Sequence, residues 1–148
     1  MDRSVWDPAF RARFERHEQE LSELYAQLYH GDGQAWAFFT DMLRRCHAER
    51  PAALRAFDAA READPSWYKG HELVGMLMYV SSFAGDLAGV REKLGYVEEC
   101  GVNYLHLMPL LESPPGRSDG GYAVSDFRKV EPELGTMEDL AALADDCR

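Results

Sequence analysis

A carboxylate and an aromatic ring lie three residues apart in the last third of the chain, as Asp119 and Tyr122. They stand on a loop broken by Pro and Gly, directly after Tyr104–Leu110, an apolar segment typical of a buried strand. In a β/α barrel, the loops that follow the strands build the active site. The arrangement predicts one side of a sugar-binding site, and its catalytic partners are expected beyond the last residue.

A structural interpretation of the same loop stays open, because Asp and Gly are also ordinary turn residues. Asp126 could face the site, although it more simply forms an ion pair with Arg128 within the loop. His106 is predicted to be a satisfied histidine of the core. The other histidines and the three scattered cysteines show no metal-ligand spacing, and no metal site or cofactor is predicted.

Composition excludes several classes of function. Of the 148 residues, 46% are hydrophobic and 28% are charged, which is typical of a globular protein. The net charge of −10 leaves no basic stripe for nucleic acid and disfavours an anionic membrane surface. No apolar run approaches the roughly 20 residues of a membrane span, and the N-terminus has no apolar signal core. These features predict a cytoplasmic protein with neither nucleic acid nor membrane as partner.

The elements that must position the loop fall into two regions. Apolar residues recur every three or four positions through about the first 65 residues, which predicts three helices, with Cys46 buried by the second and Phe57 buried by the third. The segments 73–80 and 102–108 are continuous apolar runs, typical of strands buried on both faces. A helix from Asp86 to about Cys100 connects them, and a long loop over 109–135 leads to a last helix capped by Thr136 and Asp139.

This order predicts an α/β fold. An N-terminal all-α domain, residues 1–68, precedes the first two βα units of a (β/α)8 barrel, residues 69–148. Strands that alternate with helices indicate a parallel sheet. A complete barrel has about eight strands, so the barrel is expected to be incomplete.

Four segments resemble the α-amylase family of glycoside hydrolases, and within it the amylosucrases and sucrose hydrolases. The segments are Tyr79-Val80 with Phe83–Leu87, Tyr104–Leu111, Ser118–Val124 and Glu131–Met137. The resemblance implies a retaining reaction on sucrose, in which an Asp nucleophile and a Glu acid pass glucose to a glucan chain or to water. In the family those residues follow the fourth and fifth strands, so no catalytic residue is expected within this chain.

Two site residues carry over from the resemblance. Asp119 matches a family Asp that holds hydroxyls of the glucosyl unit and pairs with a distant Arg. Tyr122 matches a ring that stacks on the same sugar, and Gly120 and Gly121 allow the backbone to bend between them. Ser81 departs from the family, which often has Asp at that position, and this puts local hydrogen bonding there in doubt.

Three functions compete at this point. The first is an N-terminal fragment of a sucrose-acting glucosyltransferase or hydrolase, inactive alone. The second is a non-catalytic carbohydrate-binding module. The third is a helical interaction module that forms oligomers through residues 1–65. The two apolar strands are also expected to expose sheet edges, which predicts aggregation.

Overall fold

The computed structural model describes residues 3–148, and the chain divides into two compact units, Met1–Pro65 and Ser66–Arg148. The division lies close to residue 68, where the domain boundary is predicted. The prediction of three helices before it is confirmed. They are α1 (Pro8–Tyr29), α2 (Gly33–Glu49) and α3 (Ala52–Ala63). Within residues 3–148, no helix combines the length and the apolar character that crossing a bilayer requires.

Local capping sets the limits of the first two helices. The side chain of Asp7 accepts hydrogen bonds from the backbone N–H groups of Ala9 and Phe10, which satisfies two free donors at the start of α1. Asp32 does the same for α2. Between these helices His30 adopts a left-handed backbone conformation, with φ of 56°, and this ends α1.

The core of the first unit is an aromatic cluster. Trp6, Phe10 and Phe14 are buried, and Trp36 and Leu43 of α2 pack against them. Arg13 and Arg16 of α1 both form ion pairs with Glu62 of α3. α1 therefore contacts both α2 and α3.

Two burial predictions for these helices are wrong. Phe57 was predicted inside α3, yet 55% of it is exposed, and its ring packs on the guanidinium of Arg61. Cys46, predicted to be buried by α2, is exposed as well. Helical periodicity identifies the apolar face of a helix. It does not show how much of that face a neighbouring element buries.

The second unit contains four strands and four helices, apart from short 3₁₀ turns. In chain order they are β1 (Gly75–Tyr79), α4 (Val80–Ala84), α5 (Leu87–Glu92), α6 (Leu94–Glu99), β2 (Tyr104–Met108), β3 (Leu111–Glu112), β4 (Asp126–Val130) and α7 (Met137–Asp146). β1 and β2 pair in parallel, with Leu77 opposite His106, which confirms the predicted parallel sheet. β3 and β4 form a separate antiparallel pair.

The core of this unit lies where α4, α5, α7 and β4 meet. It contains six buried side chains: Val80, Leu87, Val90, Val130, Leu134 and Leu143. The N–H of Leu87 donates to the carbonyl of Leu134, and Arg91 of α5 forms an ion pair with Asp146 of α7. The predicted capping box of α7 is confirmed, since Thr136 and Asp139 each accept a hydrogen bond from the other's backbone N–H.

The predicted helix from Asp86 to Cys100 is interrupted. Asp86 caps its start as expected, through the N–H of Gly89. At Lys93, however, the backbone adopts φ of −97° and ψ of 3°, outside the helical region, and α5 ends there. The strand predicted over 73–80 is also shorter, because Val80 already begins α4 and points into the core.

One face of the parallel sheet is exposed, contrary to the prediction of strands buried on both faces. Leu77 is 61% exposed and Tyr104 is 52% exposed, and His106, opposite Leu77, is exposed rather than in a core. Met78, which points to the other face of β1, is buried. Within residues 3–148, the helices cover one side of these two strands and leave the other open.

Candidate functional site

The predicted site lies on the loop over residues 113–125, which β3 and β4 hold at its two ends. Pro109 directly follows the last residue of β2, so the loop emerges at the carboxyl end of the parallel pair. This is the end at which β/α folds place their ligand sites. The sequence predicted this location, although it treated the whole of 109–135 as an irregular loop.

A run of left-handed backbone conformations shapes the turn that carries Asp119 and Tyr122. The φ angles are 48° at Asp119, 67° at Gly120 and 92° at Gly121. Glycine adopts these angles without steric cost, and Asp is among the few other residues that tolerate them. The N–H groups of Gly121 and Ala123 both donate to the carbonyl of Ser118 and close the turn.

Gly121 also allows a close backbone approach. A Cβ atom built on it would lie 2.2 Å from the Cβ of Pro109, whereas a Cβ on Gly120 would have no heavy atom within 4 Å. The turn therefore rests directly on the residue that ends β2. No side chain other than hydrogen fits at Gly121 in this arrangement.

Replacing Gly121 with alanine is expected to displace the turn and to lower the free energy of unfolding by about 2 kcal/mol, from backbone strain and the clash with Pro109. Gly120→Ala is the matched control. It also places a side chain on a left-handed backbone but without the clash, and its expected cost is about 1 kcal/mol. Urea denaturation of both variants measures the difference, and equal costs would show that the contact with Pro109 is unimportant.

Tyr122 presents its ring to solvent while its hydroxyl is fixed. The residue is 70% exposed, and its hydroxyl donates to the Sδ atom of buried Met108 over 3.3 Å. The ring borders a cavity of about 160 Å³ whose lining is otherwise mainly apolar. The lining residues are Leu107, Met108, Pro109, Leu110, Leu111, Gly120, Gly121, Tyr122 and Val124. An anchored, exposed ring of this kind can cover the apolar face of a sugar.

Asp119 is exposed and does not line that cavity. Within residues 3–148, its carboxylate forms neither a hydrogen bond nor an ion pair with another side chain. Its carbonyl accepts a hydrogen bond from the N–H of Tyr122, so the two residues belong to one turn. The carboxylate is therefore open to a ligand, and the role predicted for it stays a prediction.

A cluster of charges surrounds the base of the loop. Lys129 of β4 forms ion pairs with Glu112 at 3.4 Å and with Asp126 at 3.3 Å. The pKa of Asp126 is lowered, chiefly by the backbone N–H of Arg128 and then by the Lys129 ammonium, and both carboxylates raise the pKa of Lys129. The predicted ion pair of Asp126 with the Arg128 guanidinium is wrong, since Asp126 pairs with Lys129 and Arg128 donates its backbone N–H.

Sequence reasoning missed two residues that hold this loop, Ser113 and Glu131. Both the N–H and the hydroxyl of Ser113 donate to the Glu131 carboxylate. β3 is too short to show strand periodicity, so no pattern in the sequence indicated that these residues meet. As for metals, no three His, Cys, Asp or Glu side chains gather as a possible binding site in the part of the chain described.

The sequence is similar to a known family of catalytic domains and to several of its members. Residues 13–148 match the family described as alpha amylase, catalytic domain. The trehalose synthase/amylase TreS of Mycobacterium tuberculosis is 39% identical over 92 residues, which are 59% of this chain and 15% of that protein. The trehalose synthase of Thermus thermophilus is 45% identical over 84 residues, 52% of this chain and 8% of the relative.

Among solved structures, a mutant isomaltulose synthase from Erwinia rhapontici NX5, in complex with its natural substrate sucrose, is similar. It is 32% identical with a TM-score of 0.47, over 57% of this chain and 16% of that one. The chain thus spans no more than about one sixth of the length of the relatives it matches.

Proposed function

The chain belongs to the α-amylase family of catalytic domains, and we propose that it is the opening part of an amylosucrase-like enzyme that acts on sucrose. Its relatives carry the names trehalose synthase/amylase and probable oligo-1,6-glucosidase, which are names of carbohydrate-acting enzymes. Support for the finer assignment comes from the helical unit ahead of β1 and from the segment Ser118–Val124. In this assignment residues 1–68 are a helical domain and 69–148 begin the barrel.

In the proposed site, Asp119 and Tyr122 hold the glucosyl unit of sucrose. An ionised carboxylate accepts hydrogen bonds from two vicinal hydroxyls at once. The Tyr122 ring covers the C–H face of the same sugar. What supports this assignment is the shared turn. It exposes an unpaired carboxylate directly before the Gly-Gly bend and an anchored ring directly after it.

Catalysis is proposed to need residues outside these 148. A retaining glycosidase requires two carboxyl groups about 5 Å apart, one as nucleophile and one as acid and base. The resemblance implies that these groups follow strands four and five of the barrel, whereas in this proposal β1 and β2 are its first two strands. The acceptor, a glucan chain or water, would meet the glucosyl intermediate at that later part of the enzyme.

We expect purified protein incubated with sucrose to release no fructose above the level in buffer. The measurement is an enzyme-coupled fructose assay over many hours, with Asp119→Asn as a parallel sample. Fructose release that disappears in the Asp119→Asn variant would show that the catalytic groups lie within these residues, and it would overturn this assignment.

Association through the helical unit is a second proposal, favoured by exposed apolar side chains there. Leu28 is 72% exposed and Phe38 is 67% exposed. If these helices form a dimer, light scattering should give twice the monomer mass, and Phe38→Glu should restore the monomer. A monomer at all concentrations would contradict it. Cytoplasmic residence stays a prediction.

A further inference from the structure

The loop that carries the proposed sugar contacts has a weak attachment to its own strands. β3 has two residues, and its pairing with β4 changes register between Leu111 and Glu112. Such an irregularity removes hydrogen bonds that a regular ladder would supply. The position of the loop must therefore depend on contacts outside the ladder.

A carboxylate supplies the missing contact at the first residue of the loop. The N–H of Ser113 donates to Oε2 of Glu131 over 3.0 Å, and the Ser113 hydroxyl donates to the same oxygen over 2.9 Å. Both residues are half-buried. Hydrogen bonds to an ionised, partly shielded acceptor are stronger than those between neutral groups.

Glu131 is itself held in place. Its backbone N–H donates to the carbonyl of Leu110 over 2.9 Å, so the residue contacts both sides of β3, at Leu110 and at Ser113. The other end of the loop has a backbone attachment, from the N–H of Ser125 to the carbonyl of Glu112 over 2.8 Å. The Glu131 side chain thus attaches the first residue of the loop, as this backbone hydrogen bond attaches the last.

We propose that Glu131 is a positioning residue that fixes the loop over 113–125 and thereby determines how tightly Asp119 and Tyr122 hold a sugar. The inference rests on the proposed function for its effect on sugar affinity. Its effect on the loop stands on the contacts of Glu131 alone, and the two parts can be tested separately.

The test compares Glu131→Ala, Glu131→Gln and the control Glu133→Ala by amide hydrogen exchange of the full chain. Glu133 is exposed in the same connection, so its removal changes charge equally without touching Ser113. Exchange over 113–125 is expected to rise about tenfold in Glu131→Ala, with β1, β2 and α7 unchanged. Glu131→Gln keeps an oxygen acceptor and should recover part of the protection.

Ser113→Ala provides an independent arm should Glu131→Ala fail to fold. It removes one of the two hydrogen bonds and should raise exchange in the same segment by a smaller factor. If neither Ser113→Ala nor the Glu131 variants differ from Glu133→Ala in this segment, the proposed role of Glu131 is wrong.

Sugar affinity separates the two parts of the inference. Sucrose should bind Glu131→Ala about tenfold more weakly than the unsubstituted protein. A loosened loop with unchanged sucrose affinity would overturn the positioning role. Absence of sucrose binding by the unsubstituted protein would instead overturn the proposed function, while hydrogen exchange would still decide whether Glu131 holds the loop.

Discussion

Removing the Asp119 carboxylate with Asp119→Ala should weaken sucrose binding by roughly 10- to 100-fold, because hydrogen bonds to a charged group are worth about 1.5–3 kcal/mol. The carboxylate has no side-chain partner within residues 3–148, so its removal leaves no other group unpaired there. The sucrose affinity of Asp119→Asn should lie between those of Asp119→Ala and the unsubstituted protein, since the amide retains one oxygen acceptor. Titration calorimetry at millimolar sucrose measures these affinities.

Asp145→Ala is the control for this series, because it removes an exposed carboxylate on α7 that pairs with Arg148 and is remote in sequence from the loop. Its sucrose affinity should match that of the unsubstituted protein. Tyr122→Ala should lower the sucrose affinity several-fold, because a stacked ring contributes about 0.5–1.5 kcal/mol. Equal affinities for Asp119→Ala and Asp145→Ala would exclude Asp119 from the sugar site.

The open face of the parallel sheet is expected to dominate the solution behaviour of the isolated chain. Leu77, Tyr79 and Tyr104 lie on this face with about half or more of their surface exposed. Exposed apolar strands at a sheet edge promote association, and a lysine in such a strand opposes it. Leu77→Lys should therefore raise the highest concentration at which the protein is still monomeric by about tenfold.

Val5→Lys, ahead of α1, is the matched control, because Val5 is at least as exposed as Leu77 and the substitution changes the net charge equally. In an acidic protein an added lysine lowers the magnitude of the net charge, which by itself reduces solubility. A gain specific to Leu77→Lys would therefore come from the sheet face. Analytical ultracentrifugation decides the matter, and equal behaviour of the two variants would contradict the prediction.

Local signals in the sequence predicted much of the scaffold. Apolar periodicity located α1, α2 and α3, and side-chain oxygens at Asp86 and Thr136 located two helix starts. These features depend on neighbours within one or two helical turns, which a sequence displays directly. The parallel pairing of β1 and β2 followed from the order of the elements.

Features that depend on distant neighbours were not predictable. The exposure of Leu77 reflects which elements cover the sheet, whereas the sequence shows only that the residue is apolar. The break at Lys93 occurs within an uninterrupted helical pattern. β3 and β4 are joined by a contact between Ser113 and Glu131 that no short-range pattern encodes.

The candidate site shows the same division. Asp119 and Tyr122 were identified from their types, spacing and family resemblance, and the Gly-Gly bend between them explains their shared turn. The anchoring of Tyr122 on Met108 and the contact of Gly121 with Pro109 join the loop to the end of β2. These contacts became evident only from the fold.

The most direct test of a sugar site on this turn is chemical-shift mapping of the isotope-labelled chain during a sucrose titration. We expect saturable shifts concentrated at Asp119, Gly120, Gly121 and Tyr122, with the helical residues before Pro65 unaffected. Shifts confined to the helical unit, or none at tens of millimolar sucrose, would contradict the assignment of this loop as one wall of a glucosyl site.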